Sequence, residues 1–258
     1  MGPSQTSEAI ILRARAYGES DKIVTFLTND AGKLTGIAKG AKNSRRRFAN
    51  CLDPFTRVRV HFRTRPGAGL VFMESCDLLH PAGPMAEPNK FAYGSYLLEL
   101  VDQLTEEAHP VPEVYHLLNE GVDELQRGPA TSAFLRAFEL RLLHHAGYDP
   151  HLTNCARCQQ SVVSTMRAFL DAIQGGIFCE ACRAYNQRPV PVSGPTLAVL
   201  ETLKATPLGA ARKQRFGAEL AAEAAAILGY LLALHLPRPL RSVKLIAALA
   251  GEPPASQA

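Results

Sequence analysis

The sequence predicts an α+β protein: a small antiparallel β-barrel, then a helical domain interrupted by a four-cysteine insert. Three observations carry that prediction. Short alternating apolar segments separated by turn residues occupy residues 8–80. Apolar residues then recur at helical spacing from residue 89 onward. Two Cys-x-x-Cys pairs lie within the helical part.

The barrel strands are expected at residues 9–16, 22–28, 33–39, 55–65 and 69–79, each rich in Ile, Val, Leu, Phe and Thr. Turn signals separate them: Gly18, Asn29 to Gly32, Gly40, Asp53-Pro54 and Pro66 to Gly69. Five short strands in this length fit an SH3-like barrel or an OB-type barrel equally well. The fourth strand alternates strictly. Val58, Val60 and Phe62 share one face, and Arg57, Arg59, His61, Arg63 and Arg65 share the other. That face puts four guanidinium groups in a row. Their mutual repulsion would be relieved by a polyanion; a solvated outer strand is the plainer alternative.

The proline-rich run from Pro81 to Lys90 reads as a linker, placed at 82–87. The domains are then residues 1–81, a nucleic-acid-binding barrel, and residues 88–258, helical, with the insert at 150–190. Leu97, Leu100, Val101, Leu104 and Ala108 mark the first helix. Further helices are expected at residues 111–127 and 131–146, the latter stopped by Gly147, and from a Ser193 cap to Lys204 with Pro195 in the first turn. Another carries the stripe Phe216, Leu220, Ala224, Ile227, Leu228, Leu231 and Leu234, and a last one spans residues 240–249.

Composition bounds the function. The chain has 258 residues with 47% hydrophobic and 20% charged, close to globular averages. No apolar run is expected to reach the ~18 residues of a membrane span, and the N-terminus lacks a secretory pattern. A cytoplasmic, nucleoid-associated protein with reduced thiols is expected. The net charge of +4 is unevenly spread. Residues 1–87 carry +5, residues 88–149 carry −6 and residues 150–258 carry +5. A basic N-terminal unit suggests a polyanion partner, while the acidic block argues against a protein that coats DNA uniformly.

Cys155 and Cys158, followed after 20 residues by Cys179 and Cys182, have the spacing of a four-thiolate zinc site. Each tight knuckle aims two sulfurs at one ion, and Gly175-Gly176 allows a sharp turn before the second pair. Arg157, Arg167 and Arg183 could offset the charge. Redox chemistry, an iron–sulfur cluster and a metal-free scaffold are the alternatives. Four sulfurs leave no open position for water, which favours a structural Zn2+ over a catalytic one. His144, His145 and His151 read as ordinary helix-end or surface residues, and Cys51 and Cys76 as small core residues.

Catalytic motifs are missing. Gly32-Lys33-Leu34-Thr35 lacks the first glycine of a phosphate loop. Gly94-Ser95 is not a nucleophile elbow, and the His-x-Glu signature of zinc deaminases is absent. Glu99, Asp102, Glu106 and Glu107 read as a solvated helix face. The chain is expected not to be an enzyme. Its nucleic-acid contacts are expected instead at Lys33, Lys39, Lys42, Arg45, Arg46 and Arg47, in a flexible loop gripping phosphates. Phe48 would either stack on a base or anchor the loop in the barrel.

The runs Glu8 to Val24, Leu27-Thr28, Gly32-Lys33-Leu34 and Ala38 to Ala41 resemble the bacterial RecO family of DNA repair proteins. So do Gly147 to Leu152 before the first cysteine pair, Gly175 to Cys182, and His235 to Ser242 near the end. The resemblance spans nearly the whole chain in order. It implies an OB-fold followed by a helical domain with a zinc-finger-like insert, which breaks the tie between barrels. It also implies a non-enzymatic recombination mediator of the RecF pathway. Such a mediator binds single- and double-stranded DNA, anneals complementary strands, engages the C-terminal tail of single-stranded DNA-binding protein, and with RecR helps RecA load. Arg57, Arg59, Arg63 and Arg65 would join the loop cations on DNA. Arg136, Arg141, Arg212, Arg215, Arg238 and Arg241, with Lys213, are candidates for the basic rim of a peptide groove. Residues 212–215 could equally be a solvated helix start. One departure stands out: Gln159 follows Cys158 where family members often carry glycine. An RNA-binding factor of translation or ribosome assembly is the competing function, and an interaction scaffold is a third.

Overall fold

The computed structural model describes residues 2–64, 67, 69–82, 85, 87–162, 167–171, 176–183 and 190–250. Five strands close the N-terminal barrel: β1 (Ser4–Tyr17), β2 (Asp21–Thr28), β3 (Lys33–Ala38), β4 (Arg57–Arg63) and β5 (Val71–His80). Their order around the barrel is β1-β2-β3-β5-β4. All pairings are antiparallel except β3 with β5, which is parallel. This is the five-stranded OB-type barrel.

Closure depends on β1. Its 14 residues serve two neighbours: residues 4–10 pair with β4 and residues 9–17 with β2. The register shifts between Ile11 and Arg13, where the strand bends. Phe55 N donates to Ile11 O, and Ile11 N donates to Thr56 O, so the bend leaves these groups paired. The barrel is filled by Ala9, Ile11, Val24, Phe26, Val58, Val60, Phe62 and Met73, all essentially inaccessible, with Phe26 and Phe62 edge-to-face at 6.2 Å. The alternation expected in β4 is observed, with Val58, Val60 and Phe62 inside.

The helices are α1 (Pro88–Leu104), α2 (Pro112–Arg127), α3 (Ser132–His145), α4 (Gly194–Ala205), α5 (Leu208–Ala211), α6 (Ala218–His235) and α7 (Ser242–Ala250). Proline in the first turn starts α1, α2 and α4. Thr131 and Ser193 side chains cap α3 and α4 by accepting from Phe134 N and Thr196 N. Helix α5 had no apolar periodicity to betray it, being a single turn.

The chain forms two compact units. One contains residues through Gly128 together with those from Leu240; the other is Pro129–Pro239. In the first, α1, α2 and α7 accompany the barrel. Gly94 of α1 is the close-approach point, because a Cβ there would overlap the Met85 methyl and lie 2.8 Å from the Phe55 ring. Phe55 sits at φ 71°, a left-handed conformation that costs a bulky residue about 1–2 kcal/mol. Its ring packs edge-on against Phe91 at 5.7 Å, which holds it there. Of the expected linker, Gly83, Pro84 and Ala86 lie outside the described residues, whereas Met85 is buried.

The acidic helices answer the basic barrel. Lys33 donates to Asp102 O and pairs with the Asp102 carboxylate at 3.6 Å, as does Arg13. Glu99 accepts from Arg241 N, Ser242 N and Ser242 Oγ at 2.6–2.9 Å and so caps α7. Glu99 and Asp102 are therefore structural anchors rather than parts of a solvated face.

In the second unit, α3 is buried along nearly its whole length. The insert adds β6 (Ala168–Asp171), β7 (Gly176–Phe178) and β8 (Val190–Val192) as an antiparallel sheet ordered β7-β6-β8. Helix α6 corrects one expectation. Its 18 residues, at mean hydropathy 1.3, are long and apolar enough to cross a membrane. Ala224, Ile227, Leu228 and Leu232 are nonetheless packed inside the unit, and Glu223 on the same helix accepts from Ser193 N and Ser193 Oγ at 2.6 Å, and from Thr196 Oγ1.

Candidate nucleic-acid interface and metal centre

The segment joining β3 to β4 builds the basic loop. Gly40, at φ 67°, turns the chain out of β3, and its N–H donates to the Asp21 carboxylate at 2.8 Å. That bond, with others from Ser20 and the fields of Lys39 and Lys42, holds Asp21 below the ordinary carboxylate range. A short 3-10 turn at Ala41–Asn43 follows. The Ser44 hydroxyl then accepts from Arg47 N and Phe48 N, which curls the arginine run into a tight bend. Phe48 is 4% exposed, so it anchors the loop in the barrel and is not a stacking platform. Arg47 lies over its ring at 5.3 Å and donates to Lys39 O. Lys42 donates to Gly18 O in the β1–β2 turn.

Lys39, Lys42, Arg45, Arg46 and Arg47 are exposed. None of these five forms an ion pair among the described residues. Strand β4 differs. Arg57 pairs with Asp123, Arg59 with Glu8 at 3.3 Å, His61 with Asp77 at 2.9 Å, and Arg63 with Glu74 at 2.7 Å. The repulsion expected along that row is thus relieved inside the protein, by carboxylates from β1, β5 and α2. Lys33, with its side chain 13% exposed, is likewise committed to Asp102. Arg65 lies outside the described residues.

The four cysteines converge. Their sulfurs all lie within 4.8 Å of one another, with Cys158 and Cys179 3.8 Å apart. A tetrahedron of sulfurs ~2.3 Å from a central ion has edges of about 3.8 Å, so the quartet fits a metal ion. Both knuckles are backbone-built: Gln159 N donates to Cys155 O, and Cys182 N and Arg183 N donate to Cys179 O. Ala156 N donates to Ile177 O and ties the first knuckle to β7. Gly176 matters for that approach rather than for a turn, since a Cβ there would stand 3.0 Å from Ala156 Cβ. Gly175 lies outside the described residues.

Gln159 adopts φ 60°. Its carboxamide is irrelevant to ligation, but its backbone occupies the conformation that glycine favours, which explains why glycine suits that position. Burial raises the Cys155 thiol, yet the N–H groups of Cys158, Cys179 and Arg157 outweigh it and bring it down to about 6. Cys182 is pushed up to about 12, first by its hydrogen bond with Cys179 and then by burial. A divalent cation would displace the proton that Cys182 otherwise keeps beside ionised Cys155. No histidine joins the cluster among the described residues. Arg183 lies over the Phe169 ring at 4.5 Å and pairs with Glu180 at 3.4 Å. Cys51 and Cys76 are buried, and burial raises both thiols.

Two family models cover almost the entire chain: Recombination protein O N terminal matches residues 1–82, and Recombination protein O C terminal matches residues 85–244. The chain belongs to the RecO family. Relatives named DNA repair protein RecO include one from Anaeromyxobacter sp. (strain K), 38% identical over 232 residues, covering 90% of this chain and 91% of the relative. One from Myxococcus xanthus is 38% identical over 245 residues, covering 93% and 96%. A third, from Geobacter metallireducens, is 34% identical over 245 residues at the same coverage.

The runs that carry this RecO likeness in the second unit have visible structural duties. Gly147 ends α3 at φ 82°. Lys204 binds Asp149 at 3.2 Å and Pro150 O, and Tyr148 stacks on His235 at 3.8 Å. The candidate rim arginines fare unevenly. Arg136 is buried and paired with Glu139, so it cannot edge a groove. Arg212 and Arg215 follow the end of α5, and Arg215 donates to Arg212 O and Gln214 O. They mark a helix end and not a helix start. Arg141 is half-buried; Arg238 in this unit and Arg241 in the first unit are exposed. An apolar concavity of about 150 Å³ opens beside Tyr148, Leu152, Leu170, Leu231 and Leu234, and among the described residues no arginine lines it.

Proposed function

We propose that this RecO-family chain is a non-enzymatic, DNA-binding recombination mediator of DNA repair. In this reading it anneals complementary strands and, with RecR, helps RecA load onto single-stranded DNA covered by single-stranded DNA-binding protein, whose C-terminal tail it engages. It would act in the cytoplasm, at the nucleoid. Residues 1–81 form the nucleic-acid module, residues 82–87 the linker and residues 88–258 the helical module.

The observation that carries this reading is the loop of five exposed cations that form no ion pair among the described residues, mounted on a barrel by Phe48 and Ser44. Each cation that meets a phosphate releases condensed counterions, and such binding is blind to sequence. A surface that holds two phosphate backbones lowers the repulsion between them, which is what annealing requires. Arg59 and Arg63 can contribute only by exchanging Glu8 and Glu74 for phosphate. The four cysteines would hold Zn2+ in a closed shell, a structural role that leaves no site for water.

Annealing of complementary DNA oligonucleotides, measured at several salt concentrations with and without the protein, tests the proposal. Acceleration that fades with salt is expected. A failure to accelerate annealing, or a preference for structured RNA over DNA in competition, refutes it in favour of the RNA-binding alternative. Chelation should release one zinc per chain and leave oligonucleotide affinity unchanged.

A further inference from the structure

Beside the basic loop lies a concavity of about 440 Å³, lined by Lys22, Lys42, Ser44, Arg45, Asn50 and Asp53 over a floor of Ala41, Phe48, Ala49 and Leu52. Its size falls in the ~300–1,000 Å³ range of small-ligand sites. Its lining divides chemically. Lys22, Lys42 and Arg45 offer cations. Asp53 offers a carboxylate, which repels a phosphate, and Asn50 a carboxamide, which can serve a phosphate or a base edge. A simple anion site gains nothing from Asp53, whose charge opposes the ligand.

We propose that this pocket takes one unpaired nucleotide of a DNA single strand, with its phosphate against Lys22, Lys42 and Arg45 and its base edge against Asp53 and Asn50. The inference rests on the proposed DNA binding and adds what the site reads. Carboxylates accept from exocyclic amino groups, as Asp and Glu do from cytosine N4. In a duplex the Watson–Crick partner engages that amino group, so the pocket favours an unpaired base. Thymine has no exocyclic amino group and leaves the carboxylate desolvated and unpaired. The pocket therefore prefers cytosine to thymine. Asn50 holds φ 56°, which asparagine tolerates better than most residues.

The test is fluorescence anisotropy with dC12 and dT12 on the full chain. The wild type should bind dC12 at least about fivefold tighter than dT12. Asp53→Ala should bring the ratio near one while raising the affinity for dT12, because a negative charge is gone. Asp53 is exposed, and its backbone carbonyl, which the substitution leaves in place, accepts from Thr56 N, so the variant keeps its fold. Lys22→Ala should weaken both oligomers equally. A wild-type ratio near one, or a ratio that survives Asp53→Ala, overturns the pocket assignment. Tighter binding of rC12 than dC12 overturns the choice of DNA. Absence of saturable binding to either oligomer at low salt would instead sink the underlying DNA-binding proposal.

Discussion

Strand β4 and the loop that precedes it are both arginine-rich, yet they use arginine in opposite ways. The β4 side chains stand at two-residue intervals on a rigid strand, where Glu8, Glu74, Asp77 and Asp123 reach them from neighbouring elements. In the loop, Arg45, Arg46 and Arg47 project from a bend held by Ser44 and by Phe48, and no carboxylate reaches them among the described residues. A regular element invites partners at fixed spacing, and evenly spaced carboxylates on the adjoining strands can complete it. The irregular loop has Asp21 and Asp53 in its vicinity, yet among the described residues neither comes within ion-pairing distance of its cations. Cation density along the chain therefore says little about which cations are available to a ligand.

The strongest way to break this contrast is to strip the loop. Lys39→Ala/Arg45→Ala/Arg46→Ala should lower DNA affinity about 100-fold or more at low salt and flatten the salt dependence by roughly two to three units of slope. Thermal unfolding should move little, since none of the three side chains forms an ion pair among the described residues and Lys39 acts on Asp21 only at longer range. If affinity held, the loop would not be the interface.

The complementary substitution acts on stability. Arg57→Ala removes the partner of Asp123, and Arg57 is mostly buried. A loss of about 1–3 kcal/mol is expected by denaturant titration, with oligonucleotide affinity little changed. Equal damage to binding would place Arg57 on the DNA surface after all.

A smaller effect should convert part of the strand into loop-like surface. Glu74 is held below its ordinary value of 4.5, first by the Ser4 hydroxyl and then by Arg63. Its folded-state value is depressed, so the pair supports the fold above pH 4.5 and is lost as pH falls through the depressed value. Glu74→Gln releases Arg63 at every pH. It should raise DNA affinity severalfold at neutral pH and reduce the gain the wild type shows on acidification below pH 4.5, leaving the share that comes from Arg59 and Glu8. Affinity unaltered by the substitution at both pH values would show that Arg63 faces no phosphate.

The smallest change concerns neither cation group and serves as a control. Gln159→Gly relieves a left-handed residue in the first knuckle and should stabilise the insert by up to about 1 kcal/mol, seen as slower zinc loss to a chelator. DNA affinity should stay as it was.

Much of this protein could be read from periodicity and spacing, because those signals are local. The two-residue alternation of β4, the Ser193 cap of α4 and the Cys155–Cys158 and Cys179–Cys182 pairs each depend on a few adjacent residues, and each is found where its pattern places it. Phe48 was ambiguous in sequence, since an aromatic beside arginines serves equally as platform or anchor; only the closed barrel put its ring inside. In sequence Lys33 reads as a loop cation, Arg57 as part of the basic strand face and Arg136 as a groove rim, and the partners of all three commit them to the protein itself. Asp102 lies 69 residues from Lys33, and Asp123 lies 66 from Arg57. Glu139 was near enough to Arg136 to be seen, but that the pair is buried was not. Charge pairing across such separations is decided by how α1 and α2 pack beside the barrel, and linear sequence carries no distance between side chains so far apart along the chain.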